Sequence, residues 1–501
     1  MGLWVISKRQ FDVTRLKRSL SSKLSLRIIK GALKVQKNGK YLFEEIVDRY
    51  CDGTLTGNLK IKYFPVIKLL NVVRHSFGYS EEEFKIGLQL KSTKKIFANA
   101  LSSLDRYGFN TPQGFADPVM IVWNFTNNCN LRCKHCYQSA YAMSPEERRA
   151  NELHLEDRLK VVDIIAERNI PSLFFSGGEP LIEDDFWPVA ERAKKKGLYL
   201  SIATNGTLIN KKMAKRIADI GFGYVQVSID SADPEVHDEI RGIPGVWERA
   251  VRGIENLIDA GVTTCIAYTH MKSTHNQIEG IFKLRKELGA YKVVIYNYIP
   301  VGRAGFEEDP TPEQREELHK IMYDKLEAGR HVIATTDPTM GVYCRMHQAN
   351  SILLAHYADL KVKELGVIAD IVGGCGAGRA YGALQPNGDF TPCVYMPNTT
   401  VGNILKQPFD EIWNEHPLMK MFKTREGITC NKCGAENEPV CGGCRARAYE
   451  YFGSFKSPDP GCIFNKELYY DFMEKYKKGE EYELKEKQPE VKEVVWNLQK
   501  K

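Results

Sequence analysis

The segment Cys129-Asn-Leu-Arg-Cys133-Lys-His-Cys136 places three cysteines within eight residues of a 501-residue chain. The chain begins MGLWVISKRQ, whose apolar run is too short for a secretory signal, so we expect a reducing compartment in which clustered cysteines usually bind metal. Three thiolates at this spacing can bind three irons of a 4Fe–4S cubane and leave the fourth iron without a protein ligand. The alternative is a structural zinc site that uses His135 as its fourth ligand.

Around this segment, short β-rich runs alternate with longer amphipathic stretches. The predicted strands are Val119–Phe125, Ser172–Phe175, Leu198–Ala203, Tyr224–Ile229, Thr264–Thr269 and Lys292–Tyr298. Between them lie predicted helices near residues 155–169, 186–196, 211–220, 247–260 and 276–288. This alternation predicts parallel strands joined by crossover helices, in an incomplete barrel or an open curved sheet, with chemistry at the carboxyl ends of the strands.

Polar segments follow the first four predicted strands. The triple-cysteine loop follows the first strand, Gly177-Gly178-Glu179-Pro180 the second and Thr204-Asn205-Gly206 the third, and Ser228 and Asp230 close the fourth. Carboxyl ends of parallel strands meet at one edge of a sheet, so we expect these residues to share one rim.

A second group of cysteines lies toward the carboxyl terminus, in a Gly- and Pro-rich region with weak periodicity. Its seven members are Cys375, Cys393, Cys430, Cys433, Cys441, Cys444 and Cys462. A region so poor in core-forming residues is expected to depend on metal for its fold. A zinc ribbon is one interpretation, because Cys430-x2-Cys433 and Cys441-x2-Cys444 could close a tetrahedral site, but it leaves three cysteines unexplained.

The cysteine triplet after the first strand, followed by GGEP after the second, resembles the radical S-adenosylmethionine (SAM) superfamily over residues 119–304. The resemblance implies a partial (β/α)6 TIM-like barrel of the α/β class. It also implies that Cys129, Cys133 and Cys136 hold a catalytic 4Fe–4S cluster whose open iron binds SAM. One electron then cleaves SAM to methionine and a 5′-deoxyadenosyl radical. His135 stands where the family usually has an aromatic residue.

The same resemblance implies a set of SAM-binding residues. They are Gly177, Gly178, Glu179, Pro180, Thr204, Asn205, Ser228, Asp230, Arg241 and Arg303. Glu179 resembles the partner of the SAM ammonium, and Arg241 resembles the arginine that pairs with its carboxylate. Ser228 and Asp230 resemble contacts to ribose or carboxylate, and Arg303 follows the sixth strand, where the family closes over the nucleoside.

The segment from Cys375 to Cys462 is similar to the SPASM extension of radical SAM proteins, which binds two auxiliary 4Fe–4S clusters. Mapped by order, Cys375, Cys393 and Cys444 would bind the first auxiliary cluster. Cys430, Cys433, Cys441 and Cys462 would bind the second. The spacings around Cys441 differ from the usual pattern, and a frequent extra ligand is absent. The first auxiliary cluster would then have an open iron, a non-cysteine ligand, or Cys344.

We predict five regions: a helical extension (1–115), the radical SAM core (116–310), a helical connector (311–372), the SPASM domain (373–470) and a charged tail (471–501).

The first forty residues carry eleven Lys or Arg and one acid, within a net charge of +7. An apolar stripe is formed by Leu16, Leu20, Leu24, Ile28 and Ala32, and a basic stripe by Lys23, Arg27, Lys30, Lys34 and Lys37. This helix could pack on the barrel, rest on an anionic membrane through residues 16–37, or contact an acidic partner. Nucleic acid is the least favoured partner, because no ordered aromatic residues suggest base stacking.

These features predict an oxidoreductase that abstracts hydrogen from an unactivated carbon, with ferredoxin or flavodoxin as electron donor. Peptide or protein maturation is placed first, because SPASM families commonly modify peptides. Tetrapyrrole side chains of the haem pathway come second, because the GRA and CGGCRARAY segments resemble such enzymes, and membrane lipids third. A non-catalytic iron–sulfur or zinc protein is the alternative from another class. We expect a cytoplasmic protein, with peripheral contact to the inner membrane surface as a further option.

Overall fold

The computed structural model describes residues 22–34, 36, 41–76, 79–328, 332–347, 351–352, 360–361, 371–430, 433–434 and 440–482. Its strands are β1 Met120–Asn124, β2 Ser172–Ser176, β3 Tyr199–Thr204, β4 Tyr224–Ser228, β5 Thr264–His270, β6 Val293–Asn297, β7 Ile333–Thr335, β8 Ser351–Ile352, β9 Leu360–Lys361, β10 Tyr381–Leu384, β11 Asp389–Thr391 and β12 Gly402–Asn403. Ten of them form one sheet in the order β12-β11-β10-β1-β2-β3-β4-β5-β6-β7, and β8 pairs with β9 separately.

Strands β1 to β7 are parallel neighbours in chain order, so their carboxyl ends lie at one edge of the sheet. The α/β class and the six predicted parallel strands are confirmed, with ends that differ by at most one residue. The sheet is larger than predicted, because β7 continues it on one side and β10 pairs in parallel with β1 on the other.

Alternating side chains give each strand two different faces. In β4, Val225 and Val227 are buried in the apolar core, whereas Gln226 and Ser228 line the interior of the curved sheet. Helices cover the outer face and the connections; they are Pro145–Asn151, Leu155–Glu167, Phe186–Lys195, Lys211–Ile220, Pro234–Arg241, Val246–Asp259, Ile278–Leu288, Pro312–Glu327 and Thr339–Met346. Short 3-10 turns occur at Pro180–Ile182, His275–Gln277, Phe306–Glu308 and Ile463–Asn465.

The amino-terminal extension has an apolar core of its own. Its described helices are Lys23–Ala32, Leu42–Cys51, Gly57–Lys62, Phe64–Ser76, Glu81–Gln89 and Lys91–Tyr107. Ile29 and Ala32 are buried against Phe43 and other residues of these helices, so the basic helix packs on the extension itself. The predicted apolar stripe is displaced, because Ile29 takes the buried position expected of Ile28, and Leu24 is exposed. Leu16, Leu20 and Lys37 lie outside the described residues.

The carboxyl-terminal module joins the barrel through its strand β10 and through several buried side chains. Its helical segments are Glu411–Glu415, a π-helix, and the α-helices Pro417–Thr424, Arg445–Phe452 and Lys466–Lys478. The predicted tail boundary at residue 471 falls inside the last helix, where Phe472 and Met473 pack against Tyr451. Across the described part of the chain, no helix combines the length and apolar character that a membrane crossing requires.

Trp413 fastens the carboxyl-terminal module to the segment that leads into β1. Its ring is fully buried, and its indole N–H donates a 2.8 Å hydrogen bond to the carbonyl of Phe115.

We predict that Trp413→Ala lowers the free energy of unfolding by about 3–5 kcal/mol, because it leaves a large cavity and an unpaired carbonyl. Urea denaturation followed by far-ultraviolet circular dichroism would measure the change. Ile86→Ala, at an exposed position, is the control and should change stability by at most about 0.5 kcal/mol. Equal effects of the two substitutions would contradict the anchoring role.

Candidate active site and cysteine clusters

A cavity of about 640 Å³ lies inside the curved sheet, and its wall includes Cys129, Cys133 and Cys136. Six other predicted site residues line the same wall: Gly177, Gly178, Thr204, Asn205, Ser228 and Arg241. The structure therefore brings together residues from the ends of four strands and from helix Pro234–Arg241. Glu179, Pro180, Asp230 and Arg303 are not among the residues that line the cavity; the first three are buried and Arg303 is exposed.

The cysteine loop is held by backbone hydrogen bonds along its length. The Cys129 N–H donates to the carbonyl of Tyr141 (2.9 Å), and the Lys134 N–H donates to the carbonyl of Ile240 (2.9 Å). At its far end, the carbonyl of Cys136 accepts a 3.0 Å hydrogen bond from the Arg303 N–H. The three thiols are thus positioned by a backbone that is already ordered.

Arg303 also holds the loop with its side chain. Its guanidinium donates to the carbonyls of Cys133 (3.1 Å) and Ala140 (2.7 Å). The preceding Gly302 has a φ of +70°, and a Cβ there would lie 2.6 Å from the Cys136 carbonyl oxygen, so only glycine allows this approach. The resemblance places Arg303 where the family closes over the nucleoside. Its side-chain hydrogen bonds in the structure are to the cysteine loop, and a contact with SAM stays a prediction.

The glycine turn after β2 packs directly on the backbone that precedes Cys129. Gly177 has a φ of +117°, and a Cβ there would lie 2.6 Å from the Thr126 carbonyl oxygen. A Cβ on Gly178 would lie 2.8 Å from the Asn128 carbonyl carbon. Both glycines also line the cavity, so the turn offers backbone rather than side chain to a ligand beside the cysteines.

Glu179 follows this turn and is fully buried. Its carboxylate accepts hydrogen bonds from the Thr204 hydroxyl (2.8 Å) and the Asn205 N–H (2.7 Å), which ties the end of β2 to the end of β3. Burial raises the pKa of Glu179 to about 7. A nearby ammonium group would favour its ionised form, so the environment fits the predicted role near the SAM amino group.

Asp230 and Arg241 form a buried ion pair beside Cys133. Their closest atoms, Asp230 Oδ2 and Arg241 Nη2, are 2.6 Å apart, and Arg241 Nη1 donates to Cys133 Sγ at 3.7 Å. Burial works against ionisation of Asp230, but the Arg241 charge holds the pKa of Asp230 below its usual value. Asp230 is completely buried, and its ion pair constrains the orientation of Arg241. The contact with ribose or carboxylate that the resemblance implies for Asp230 stays a prediction.

His135 also faces this ion pair. Its Nε2 lies 3.5 Å from Asp230 Oδ2, and burial lowers the pKa of His135 to about 4, so the ring is neutral near pH 7. Among the described residues, no three His, Cys, Asp or Glu side chains converge as tightly as a single metal ion requires. A 4Fe–4S cubane instead distributes its thiolate ligands over several irons.

The seven carboxyl-terminal cysteines form two groups. Cys430, Cys433, Cys441 and Cys462 line a small cavity of about 50 Å³. Cys375, Cys393 and Cys444 lie near Tyr381. Burial, with a smaller contribution from the neighbouring Cys375, raises the pKa of the Cys393 thiol to about 12. The same division follows from the SPASM resemblance, and the ligand roles remain predictions.

Buried arginines surround both groups of cysteines: Arg379, Arg425, Arg445 and Arg447. Arg447 pairs with Asp459 at 3.0 Å, and Asp459 also accepts a 2.7 Å hydrogen bond from the Cys444 N–H. Burial lowers the pKa of Arg425 to about 9, which reflects the cost of removing its charge from water. So many buried guanidinium groups require anionic partners, and thiolate-ligated iron–sulfur clusters would supply negative charge at these positions.

Sequence analysis missed three tyrosines that line the main cavity: Tyr137, Tyr381 and Tyr395. The Tyr137 ring is 5.1 Å from the Tyr395 ring, and the Tyr381 hydroxyl is 2.7 Å from Cys393 Sγ. Tyr137 follows Cys136 directly and Tyr395 lies two residues after Cys393, which is the sequence signal that could have identified them. They join the first cysteine loop to the first carboxyl-terminal group.

We predict that Tyr381→Phe makes the reduction potential of the first auxiliary cluster more negative, because it removes a hydrogen bond to Cys393 Sγ, which is predicted to coordinate that cluster. An EPR redox titration should use protein in which Cys129, Cys133 and Cys136 are alanine, so that only auxiliary clusters contribute. Tyr395→Phe is the matched control, because the Tyr395 hydroxyl makes no hydrogen bond to a cysteine sulfur among the described residues. Identical potentials in the two variants would contradict the prediction.

Comparisons with known proteins agree with these features. Residues 123–285 match the Radical SAM superfamily, and residues 375–445 match the SPASM family, an iron–sulfur cluster-binding domain. The AdoMet-dependent heme synthase of Methanosarcina barkeri is 32% identical over 69% of this chain and 97% of that protein. The mycofactocin maturase MftC of Mycobacterium ulcerans is 29% identical over 70% of this chain and 89% of that protein. The structure of Streptococcus suis SuiB bound to S-adenosylmethionine is similar with a TM-score of 0.59 at 16% identity, over 83% of this chain and 93% of that one.

Proposed function

The chain belongs to the radical SAM superfamily and carries a SPASM domain, and from this premise we propose that it abstracts hydrogen from a carboxylate-bearing side chain of a tetrapyrrole. It is an enzyme whose cofactors are 4Fe–4S clusters and SAM. When bound, SAM and the reduced cluster supply a 5′-deoxyadenosyl radical. The observation that carries the proposal is that three cysteines, the glycine turn and Arg241 share the wall of one cavity.

The chain's own residues would bind and orient the reactants. Cys129, Cys133 and Cys136 would hold the catalytic cluster, and the backbone of Gly177 and Gly178 would lie against the methionyl part of SAM. Arg241 is fixed by Asp230, so its guanidinium can pair with a carboxylate without losing its orientation. A positive charge beside Cys133 also favours the thiolate that iron binding requires.

The lining of the cavity suits radical chemistry. Its wall is formed by strand side chains and by aromatic rings that include Tyr137, Tyr296 and Tyr395, which would limit the water that reaches a reacting carbon. A volume of about 640 Å³ is within the usual range for a pocket that holds a small molecule. The body of a larger substrate would remain at the rim, with one side chain inside.

The choice of a tetrapyrrole is supported by the relatives. Three AdoMet-dependent heme synthases are 32–33% identical to this chain, and a Methanosarcina barkeri Fe-coproporphyrin III synthase is 30% identical. This ordering differs from the sequence expectation, which placed peptides first. A peptide remains the second candidate, because mycofactocin maturases match over about the same part of the chain.

The auxiliary clusters would conduct an electron between the substrate and an external carrier such as ferredoxin or flavodoxin. The close contact of Tyr137 with Tyr395 provides a continuous aromatic connection from the catalytic loop to the Cys375–Cys393–Cys444 group. Contact with an inner membrane surface through residues 16–37 remains a prediction, since residues 16–21, 35 and 37 lie outside the described part of the chain.

We predict that the anaerobically reconstituted, reduced protein converts SAM to 5′-deoxyadenosine, and that Cys133→Ala abolishes this conversion because a predicted ligand of the cluster is lost. Cys265→Ala is the matched control, because Cys265 lines the same cavity from β5 and has no proposed ligand role. Its rate should remain close to that of the unmodified protein. Product formation can be measured by liquid chromatography with mass spectrometry, and normal turnover of Cys133→Ala would contradict the assignment.

The substrate class can be tested by isotope transfer. We predict that a tetrapyrrole deuterated in its carboxylate-bearing side chains transfers deuterium into 5′-deoxyadenosine, whereas a deuterated peptide does not. Mass spectrometry of the nucleoside reports the transfer directly. Deuterium transfer from the peptide alone would exclude the tetrapyrrole and favour peptide maturation, with the same catalytic machinery.

A further inference from the structure

The amino-terminal extension carries a short helix that none of the preceding chemistry uses. Helix Gly57–Lys62 buries none of its residues. Ile61 is 75% exposed, Leu59 is 38% exposed, and Phe64, which begins the next helix, is 58% exposed. The helix is continued by helix Phe64–Ser76, since the Tyr63 N–H donates to the Leu59 carbonyl and the Ile67 N–H donates to the Tyr63 carbonyl. Its exposed apolar side chains lie close together in the chain, and exposed apolar patches often mark a binding surface.

The charge around this helix is one-sided. Lys60 and Lys62 alternate with Leu59 and Ile61 and are both exposed. Residues 53–80 contain four Lys or Arg residues and no Asp or Glu. Apolar side chains interleaved with lysines, without acids, are typical of segments that insert into the headgroup region of anionic lipid.

A second basic surface belongs to the same extension. Helix Lys23–Ala32 packs against helix Phe64–Ser76, which directly follows the exposed segment. The helix and the turn after it expose Lys23, Arg27, Lys30 and Lys34, together with the apolar Leu24, which is 68% exposed. The extension therefore offers cations on two of its elements to a negatively charged surface.

Two other binding partners fit this segment less well, namely another protein chain and residues 1–21 of this chain. Lysine is depleted in interfaces between protein chains, yet here it takes every second position of the exposed segment. The chain's own residues 1–21 carry five Lys or Arg and one Asp, so they have the same sign of charge as Lys60 and Lys62. Like charges do not favour contact between these two segments.

We propose that the segment Leu59–Phe64 is a lipid-binding surface that inserts Ile61 and Phe64 into an anionic bilayer. Lys60 and Lys62 pair with lipid phosphates on either side of Ile61. The surface attaches the enzyme to the membrane through its amino-terminal extension. None of its residues lines the cavity formed by the barrel strands. This inference is independent of which substrate the enzyme uses.

Vesicle sedimentation of the full reconstituted protein tests the proposal. The protein should bind vesicles of phosphatidylglycerol and phosphatidylcholine more tightly than vesicles of phosphatidylcholine alone, and binding should weaken as salt is added. The double variant Ile61→Ser/Phe64→Ser should bind the anionic vesicles at least about tenfold more weakly, because two apolar side chains no longer enter the bilayer. Lys60→Glu/Lys62→Glu should also weaken binding to the anionic vesicles and should reduce its salt dependence, with the remainder due to the cations of helix Lys23–Ala32 and the turn after it.

Ile86→Ser is the matched control. Ile86 is 63% exposed on the same extension, but its helix begins with Glu81, Glu82 and Glu83, so its binding should equal that of the unmodified protein. Formation of 5′-deoxyadenosine without vesicles should be unchanged in all variants, which shows that they are folded and loaded. Three results would overturn the proposal: no preference for anionic vesicles, undiminished binding by both double variants, or a loss of self-association in Ile61→Ser/Phe64→Ser seen by analytical ultracentrifugation.

Discussion

The contact between the glycine turn after β2 and the backbone before Cys129 determines the geometry of the active site. Gly177 and Gly178 lie so close to the carbonyls of Thr126 and Asn128 that a Cβ at either position would collide with main chain. The glycine turn and the cysteine loop cannot move apart easily, because the strands that precede them, β2 and β1, are hydrogen-bonded neighbours in a parallel sheet. The proximity of a cysteine loop and a backbone cradle is therefore a consequence of strand pairing, and larger residues would separate them.

Buried charge is the second organising feature, and it recurs at each group of cysteines. Arg241 bridges Asp230 and Cys133 at the first loop, and Arg447 bridges Asp459 and the Asn297 side chain near the carboxyl-terminal group. An isolated buried guanidinium is unfavourable, so each of these arginines has a carboxylate that keeps it charged and oriented. Iron–sulfur clusters carry negative charge in a dry environment, and fixed cations beside their ligands stabilise that charge.

The barrel and the carboxyl-terminal module behave as parts of one structural unit around the cavity. Strand β10 extends the main sheet beside β1, and Trp413 is anchored to the segment that enters β1. Tyr381 begins β10, contacts Cys393, and lines the same cavity as Cys129, Cys133 and Cys136. One side chain of β10 therefore connects this cavity to the predicted site of the first auxiliary cluster.

The sequence by itself determined the class of fold and most of the chemistry. Strand–helix alternation predicted the parallel strands, because that periodicity is local to each segment. The Cys129–Cys136 motif with the glycine turn carried the family resemblance, and that resemblance implied the cofactors. The tertiary structure decided the side-chain partners, the buried helix face and the full extent of the sheet, because these depend on long-range packing. It directed Arg303 to the cysteine loop and Asp230 to Arg241, rotated the buried face of helix Lys23–Ala32, and added β7 and β10 to the sheet. Such short strands and side-chain partners are stabilised by contacts between residues far apart in the chain, which leave no periodic signal in the sequence.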